Sequence, residues 1–215
     1  MTSTLDRLYS FMQFSARLRE VQRHNRATPD RAESVAEHSW HLALICWLLR
    51  GEFEREFGTP VDLDKMIKMC LLHDLVEIDT GDPSAWRTDG AAEGSAEAKR
   101  QKALAEEQSA QQRFGSLPEP IGSEMLAVWH EHEAGQTLEA RLVRAVDRLN
   151  PALMRHLTGQ GWSDVGATAA DLDNLQLPRL SVSTTLTGLY QRVRAAAVES
   201  GQFAIREEGV ERQCR

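Results

Sequence analysis

The chain has 215 residues, 41% of them hydrophobic and 27% charged, which is enough apolar material for one substantial core and too little length for two ordinary domains. A formal charge of −7 excludes the global positive field that holds nucleic-acid binders on phosphate backbones, and favours a small substrate over a polymer. No basic segment followed by an apolar run opens the chain, and no stretch approaches the roughly 18 apolar residues of a membrane span, so the expectation is a soluble, unexported protein with no membrane partner.

Apolar positions recur at helical spacing almost throughout, and alternating β-branched runs are essentially absent, which predicts an all-α fold. The first helix is expected over about residues 5 to 24. The polar stretch HNRATPDRAES reads as a loop because it contains Pro29 and lacks apolar periodicity. Ser34 and Glu37 form an S-x-x-E capping box, so a second helix should begin just before His38 and end at Gly58. Thr59 is placed to cap a third helix with Pro60 at its first position, running through KMIKMCLLHDLVEID to Gly81 and Asp82.

The segment AAEGSAEAKRQKALAEEQSAQQRF has the composition of a long, polar surface helix. Two further helices are expected from Leu117 to Glu133 and from Thr137 to about Leu157, with Pro151 kinking the end of the second. A Gly-containing loop and a polar stretch then lead to a closing helix over about 181–200. Cys46 and Cys70 fall inside helical apolar patterns, and together with Cys214 they give an odd number with no CxxC. The expectation is a reducing cytoplasm and no disulfide framework.

His38 lies on the stripe His38, Leu42, Ile45, Leu49 and therefore points inward. In the third helix the inward residues Leu63, Met66, Ile67 and Cys70 lead to His73 and Asp74, with Glu77 four residues after the first and three after the second. All three lie near one face. Imidazoles and carboxylates turned into a core are costly unless something pairs their charges, and a divalent cation does so. Mixed His and carboxylate ligation suits one Mn, Fe, Co, Ni or Zn ion better than Ca, with Mg possible, and the absence of Cys ligands argues against a structural zinc site. Asp147 in ARLVRAVDRLNPAL, one turn after the inward Val143, is the candidate fourth ligand. His41 is read as a supporting or surface residue, and His130-Glu131-His132-Glu133 as a helix end exposed near the mouth of the site.

The order His38, His73-Asp74, Asp147 resembles the H…HD…D signature of HD-domain metal-dependent phosphohydrolases. The stretches SVAEHS, HDLVEIDTGD and AVDRLNPAL look like the family's 5′-deoxynucleotidase branch. The resemblance implies an HD-domain helical bundle of about seven helices, a single domain over 1–215 with its metal-site core at about 31–153, and a homodimer. It also implies roles. His38, His73, Asp74 and Asp147 match metal ligands, Glu77 matches an acidic residue that assists proton transfer, Asp82 matches a substrate-contacting acid, and Arg23 matches a phosphate-contacting Arg. Arg31 is a second candidate for offsetting phosphate charge. The branch usually follows that Arg with a Trp associated with preferring deoxyribose, whereas this chain has His24.

These features predict hydrolysis of a small phosphorylated substrate, a nucleoside 5′-monophosphate and more specifically a deoxynucleotide, to nucleoside and phosphate. The alternatives are the same site acting on a nucleoside triphosphate or another small phosphate ester, and a catalytically silent helical binding protein.

Overall fold

The structure, a computed structural model, describes residues 3–82 and 95–205. Among them are nine α-helices, one of them a single turn, and a small two-stranded antiparallel hairpin. Part of the segment before the polar helix, and Cys214, lie outside the described residues.

Helix α1 (Thr4–Ala16) is capped by Ser3 and gives way to a 3₁₀ turn at Arg17–Arg19, so the first helix stops well short of residue 24. The stretch read as a loop is instead strands β1 (Gln22–Thr28) and β2 (Arg31–Ser34), with Gln22 opposite Ser34. Its backbone finds partners that its polar side chains did not announce. Ser34 then caps α2 (Val35–Phe57) through the predicted box, in which its hydroxyl accepts from Glu37 N while the Glu37 carboxylate accepts from Ser34 N. Such a cap is worth about 1 kcal/mol. Gly58 ends the helix at φ 65°, a left-handed position that Gly occupies without a Cβ penalty.

Helix α3 (Leu63–Leu72) begins three residues later than expected, because Asp62 rather than Thr59 supplies the cap, its carboxylate accepting from Lys65 N at 3.0 Å. It also ends earlier. From Leu75 to Asp79 the backbone bonds tighten to i→i−3, and α4 (Glu77–Thr80) is a single turn. The His73-Asp74 pair thus stands at a break in the helical path, the kind of 3₁₀ stretch that often marks function.

Helices α5 (Ala96–Gly115), α6 (Ile121–Ala134) and α7 (Leu138–Leu157) follow the predicted order. Helix α7 continues six residues beyond Pro151, which leaves the Asp147 carbonyl without the usual i−4 donor. The polar stretch before the last helix folds as α8 (Ala169–Leu180), where Thr168 and Asp171 form a capping box. Helix α9 (Thr184–Glu199) closes the fold, its first turn capped by Ser183.

Helix α7 lies at the centre and packs on α2, α3, α6, α8 and α9. Leu142, Val143, Val146 and Leu149 from α7 meet Leu42, Cys46 and Phe53 from α2 and Met66, Met69 and Cys70 from α3 in the main core. Each large side chain buried there contributes about 1.5–3 kcal/mol relative to exposure. A second apolar cluster joins Phe14, Leu18, Val35, Leu75, Phe114 and Trp129 under the hairpin side of α2. The two cores meet at the elements that carry His38 and His73.

Candidate metal centre

His38 sits one turn into α2 and is fully buried, and its Nε2 bonds to Asp147 Oδ1 of α7 at 3.0 Å. Asp74 Oδ2 lies 4.0 Å from the same nitrogen. His73 Nε2 stands 3.0 Å from Asp74 Oδ2 and 4.0 Å from Asp147 Oδ1. His38, His73 and Asp74 therefore close on one point, and Asp147 lies beside it against His38. Trp129 steadies this corner by donating its indole N–H to the His73 carbonyl at 3.2 Å.

The donor set can be tested against a cation from the His73 ring. Its Nδ1 lies 3.0 Å from the Cys70 carbonyl, an acceptor only, so Nδ1 carries a proton and in the neutral ring the lone pair is on Nε2. That buried Nε2 has no hydrogen-bond partner. A lone pair held against carboxylate oxygen calls for positive charge between them. One candidate ligand atom from each of His38, His73 and Asp74 falls within 4.8 Å of the others, so the residues fit a divalent transition ion.

The electrostatics agree. Burial drives the His38 pKa down to about 4, with the Arg23 charge helping, against the pull of Asp147. Burial would also lower His73, but Asp74 and Asp147 more than reverse it and hold it at about 9, so these carboxylates favour positive charge at the ring, which a cation on Nε2 would supply in place of a proton. Asp74 and Asp147 stay ionised despite burial, Asp74 because of His73 and Arg23, Asp147 because of Arg148 and the two imidazoles.

Glu77, the first residue of α4, is buried beside the cluster, and its Oε1 accepts from Lys102 Nζ of α5 at 3.2 Å. Burial and the neighbouring Asp74 and Asp82 raise its pKa to about 9, against Lys102 and Arg23. Gly81, at φ 74° and ψ 166°, makes a turn that an L side chain would resist and delivers Asp82 to the same cavity. Burial raises the Asp82 pKa as well.

Arg23 reaches in from β1. Its Nη1 donates to Asp74 Oδ2 at 3.1 Å and lies 3.9 Å from Asp82, while its Nε lies 3.5 Å from the buried Glu33 carboxylate on β2. Burial opposes its charge, yet these carboxylates keep it protonated. Burial lifts Glu33 to about 7.

Arg31 is not brought to the cluster. It forms an exposed two-pronged pair with Glu37, at 2.6 and 2.9 Å, and lines a separate outer groove with Trp40. The Glu37 carboxylate, fixed by its capping role, holds it there. His24 lines the metal-site cavity, and His41 packs beside Asn150 on α7, with burial lowering its pKa. The expected exposed helix end at His130–Glu133 needs correction at His132. That residue follows Trp129 by three positions on the inward face of α6, is buried, and packs its ring 5.3 Å from that of His73, with Nδ1 bonded to Glu133.

Glu33 and Lys102 escaped the sequence reading, and His132 was placed near the site but wrongly exposed. Glu33 lay in a stretch read as a loop, and Lys102 in a helix whose composition matches a solvated face. His132 did carry a signal, since it shares a helical face with Trp129.

A cavity of about 180 Å³ opens from this cluster, lined by Arg23, His24, Asp74, Glu77, Asp82, Lys102 and Asp147 at one part and by α7 and α8 at another. A helical bundle with a buried His-His-Asp cluster has donors suited to a divalent ion, and Arg23 stands beside it paired with carboxylates. The HD domain profile matches residues 15–181, and the chain belongs to the HD-domain family. Human 5′-deoxynucleotidase HDDC2 is 23% identical over 201 residues, covering 89% of this chain and 91% of the relative. A 5′-deoxynucleotidase of Shewanella oneidensis is 29% identical over 134 residues, 62% of this chain and 66% of the relative. The crystal structure of a predicted metal-dependent phosphohydrolase from Magnetospirillum magnetotacticum is similar, with a TM-score of 0.76 and 34% identity over 94% of this chain and 98% of that one.

Proposed function

We infer that the protein is a metal-dependent phosphoric monoester hydrolase that converts nucleoside 5′-monophosphates, deoxynucleotides among them, to nucleoside and inorganic phosphate. The observation that carries this is the meeting of His38, His73, Asp74 and Asp147 around an unpartnered His73 Nε2, with Glu77 and Arg23 at its edge. The nucleotidase relatives support the choice of substrate.

In this reading His38, His73, Asp74 and Asp147 hold one divalent cation, of Mn, Co, Fe, Ni, Zn or Mg. When bound, the ion supplies Lewis-acid polarisation of the phosphoryl group and lowers the pKa of water. Arg23 binds and orients the phosphate, its charge turning from Asp74 to the substrate oxygens. Water adds to phosphorus as the bond to the 5′-oxygen breaks, and Glu77 would pass a proton to the leaving oxygen and regain one from the attacking water, so that ester and water become nucleoside and phosphate. Lys102 keeps the Glu77 carboxyl in place, and Asp82 contacts the sugar side of the substrate.

The assembly proposed is a cytoplasmic homodimer built from one domain over the whole chain. Trp40, Leu44, Trp47 and Leu48 form an exposed apolar stripe at helical spacing along α2, with Trp47 65% and Leu48 77% exposed, a feature that suits a protein–protein contact. Among the described residues no helix is long and apolar enough to cross a membrane. Cys46 and Cys70 are free thiols with sulfurs 3.7 Å apart, which supports a reducing compartment.

The test is phosphate release from mono-, di- and triphosphates by chelator-stripped protein resupplied with each metal. Monophosphates should be cleaved and triphosphates left intact. Cleavage of triphosphates alone would favour the alternative substrate, and no cleavage with any metal would refute the reading.

A further inference from the structure

Helix α7 turns a row of arginines outward on the side where it meets the end of α8. Arg141, Arg144 and Arg148 follow one another at spacing of three and four, so they share one face of the helix. With Arg179 in the last turn of α8 and Ser181 just beyond it, they line a groove of about 510 Å³. Among the described residues no carboxylate lines this groove, although the chain carries 32 acidic residues against 25 basic ones. Arg148 and Arg179 also reach the main cavity, whereas Arg141, Arg144 and Ser181 line the groove and not that cavity.

Like charges at this spacing repel one another along a helix. Nearby carboxylates offset them weakly. Arg144 Nη1 lies 3.7 Å from the Glu133 carboxylate and Arg148 Nε lies 3.8 Å from Asp147 Oδ2, both beyond hydrogen-bonding distance. Arg144 Nη1 donates instead to the His132 carbonyl at 3.2 Å, and Arg141 forms no ion pair among the described residues. Each guanidinium carries five N–H donors in a planar fork, so the row presents far more donors than these contacts use.

The complementary ligand is a chain of anionic oxygens. Arg141 and Arg148 stand about 10 Å apart along the helix axis, more than one phosphate group can bridge, and guanidinium forks match phosphate oxygens in pairs. The volume falls within the roughly 300–1,000 Å³ of small-molecule pockets, enough for several linked phosphates. We propose that this groove binds the phosphate chain of an oligophosphate at a site separate from the metal centre. Inorganic tripolyphosphate and the tail of a nucleoside triphosphate share that chemistry. The site goes beyond the monoester reading, since a triphosphate held here is a ligand and not a substrate.

The experiment titrates the full chain, stripped of divalent ions and at low ionic strength, with orthophosphate, tripolyphosphate, dATP and a single-stranded oligonucleotide, and follows binding by calorimetry. It needs neither metal nor turnover, so its result is independent of whether the hydrolase reading holds. Tripolyphosphate should bind once per chain, at least about tenfold more tightly than orthophosphate, and less tightly as salt is raised. Arg141→Glu should weaken it by about tenfold or more, the scale of one charge-assisted contact, and Arg141→Lys by less. Arg23→Gln, at the metal centre, should leave it unchanged, with thermal melting to check that each variant is folded. Weaker binding of dATP would assign the groove to an inorganic chain, and equal or tighter binding to a nucleoside triphosphate; both support the site. No tripolyphosphate binding, an affinity no better than that of orthophosphate, an affinity unmoved in folded Arg141→Glu or lost in folded Arg23→Gln, or tighter binding of the oligonucleotide overturns it.

Discussion

Lys102 Nζ and Glu77 Oε1 stand 3.2 Å apart, tying the polar helix α5 to the first residue of α4 at the edge of the metal cluster. Lys102 also pairs with Glu106 one turn along α5 at 3.1 Å, so its position is fixed from two sides. Charge-assisted bonds of this kind are worth about 1.5–3 kcal/mol. Lys102→Met should therefore lower kcat by about 10- to 100-fold by loosening Glu77, while metal content by elemental analysis matches the wild type. Full turnover in the variant would mean that Glu77 does not depend on this contact.

Glu77→Gln separates proton transfer from metal holding. The amide keeps the shape and the bond to its surroundings but cannot donate an acidic proton, and general acid assistance contributes about 10²–10⁴-fold. Turnover should fall by that order with KM little changed and the ion retained. Loss of the ion would instead make Glu77 a ligand.

Asp74→Ala removes an oxygen that faces both imidazoles and Arg23. Wild-type protein should carry about one transition ion per chain and gain thermal stability when Mn or Co is added, since a ligand of the folded state stabilises it by mass action. Asp74→Ala should show neither effect. Equal thermal shifts in the two proteins would remove Asp74 from the ligand set.

Glu56 offers a test of the fold away from the site. Its carboxylate, at the end of α2, accepts from the Ser183 and Thr184 hydroxyls and from the backbone N–H of Thr184 and Thr185, capping α9 from outside. Burial alone would raise its pKa, but these bonds outweigh it and hold it at about 2, below the ordinary 4.5. A carboxylate depressed in the folded state adds stability that is fully present above 4.5 and lost as pH falls towards 2. Glu56→Ala should cost about 1–2 kcal/mol at pH 7, in the range of strong helix caps. The gap in denaturant midpoint between variant and wild type should narrow between pH 4.5 and 2, and a pH-independent gap would contradict the assignment.

His24→Trp tests sugar selection. His24 lines the cavity next to Arg23, and an imidazole leaves both room and a hydrogen-bonding partner for a 2′-hydroxyl that an indole would crowd. The wild type should discriminate weakly between ribo- and deoxyribonucleotides, and His24→Trp should raise the deoxy preference by about tenfold, the scale of a single pocket contact. An unchanged ratio of kcat/KM values would show that His24 does not face the sugar.

The helical frame and the inward turn of His38, His73 and Asp74 were legible from spacing, whereas Asp147 was singled out by the resemblance to HD-domain hydrolases. His38 shares a face with Leu42 and Ile45, and those residues had to be inside. The Ser34–Glu37 capping box and the order of α5, α6 and α7 were legible for similar local reasons. The hairpin was not, since β1 buries only Asn25 fully and presents no alternating apolar face. Helix α8 was hidden by Asp173, Asn174, Gln176 and Pro178, and only Leu172, Gln176 and Leu180 turn fully inward at spacing of four. The break after Leu72 was also invisible, because apolar periodicity runs on through Leu75 and Val76 into the second core. Lys102 and Glu33 depend on contacts between distant segments, which local composition does not encode.

The division of labour between α7 and α8 bears on how such an enzyme can change. Helix α7 carries Asp147 on the same few turns whose Val143, Val146 and Leu149 hold the main core together, so its sequence answers at once to folding and to the carboxylate that meets His38. Helix α8 gives the core little more than Leu172 and Leu180, yet lends Leu175, Gln176 and Arg179 to the cavity. Mutational drift in α8 is therefore cheap in stability and direct in its effect on what the cavity admits. Descendants of this scaffold can acquire new substrates by rewriting that one helix while the machinery opposite it is inherited intact.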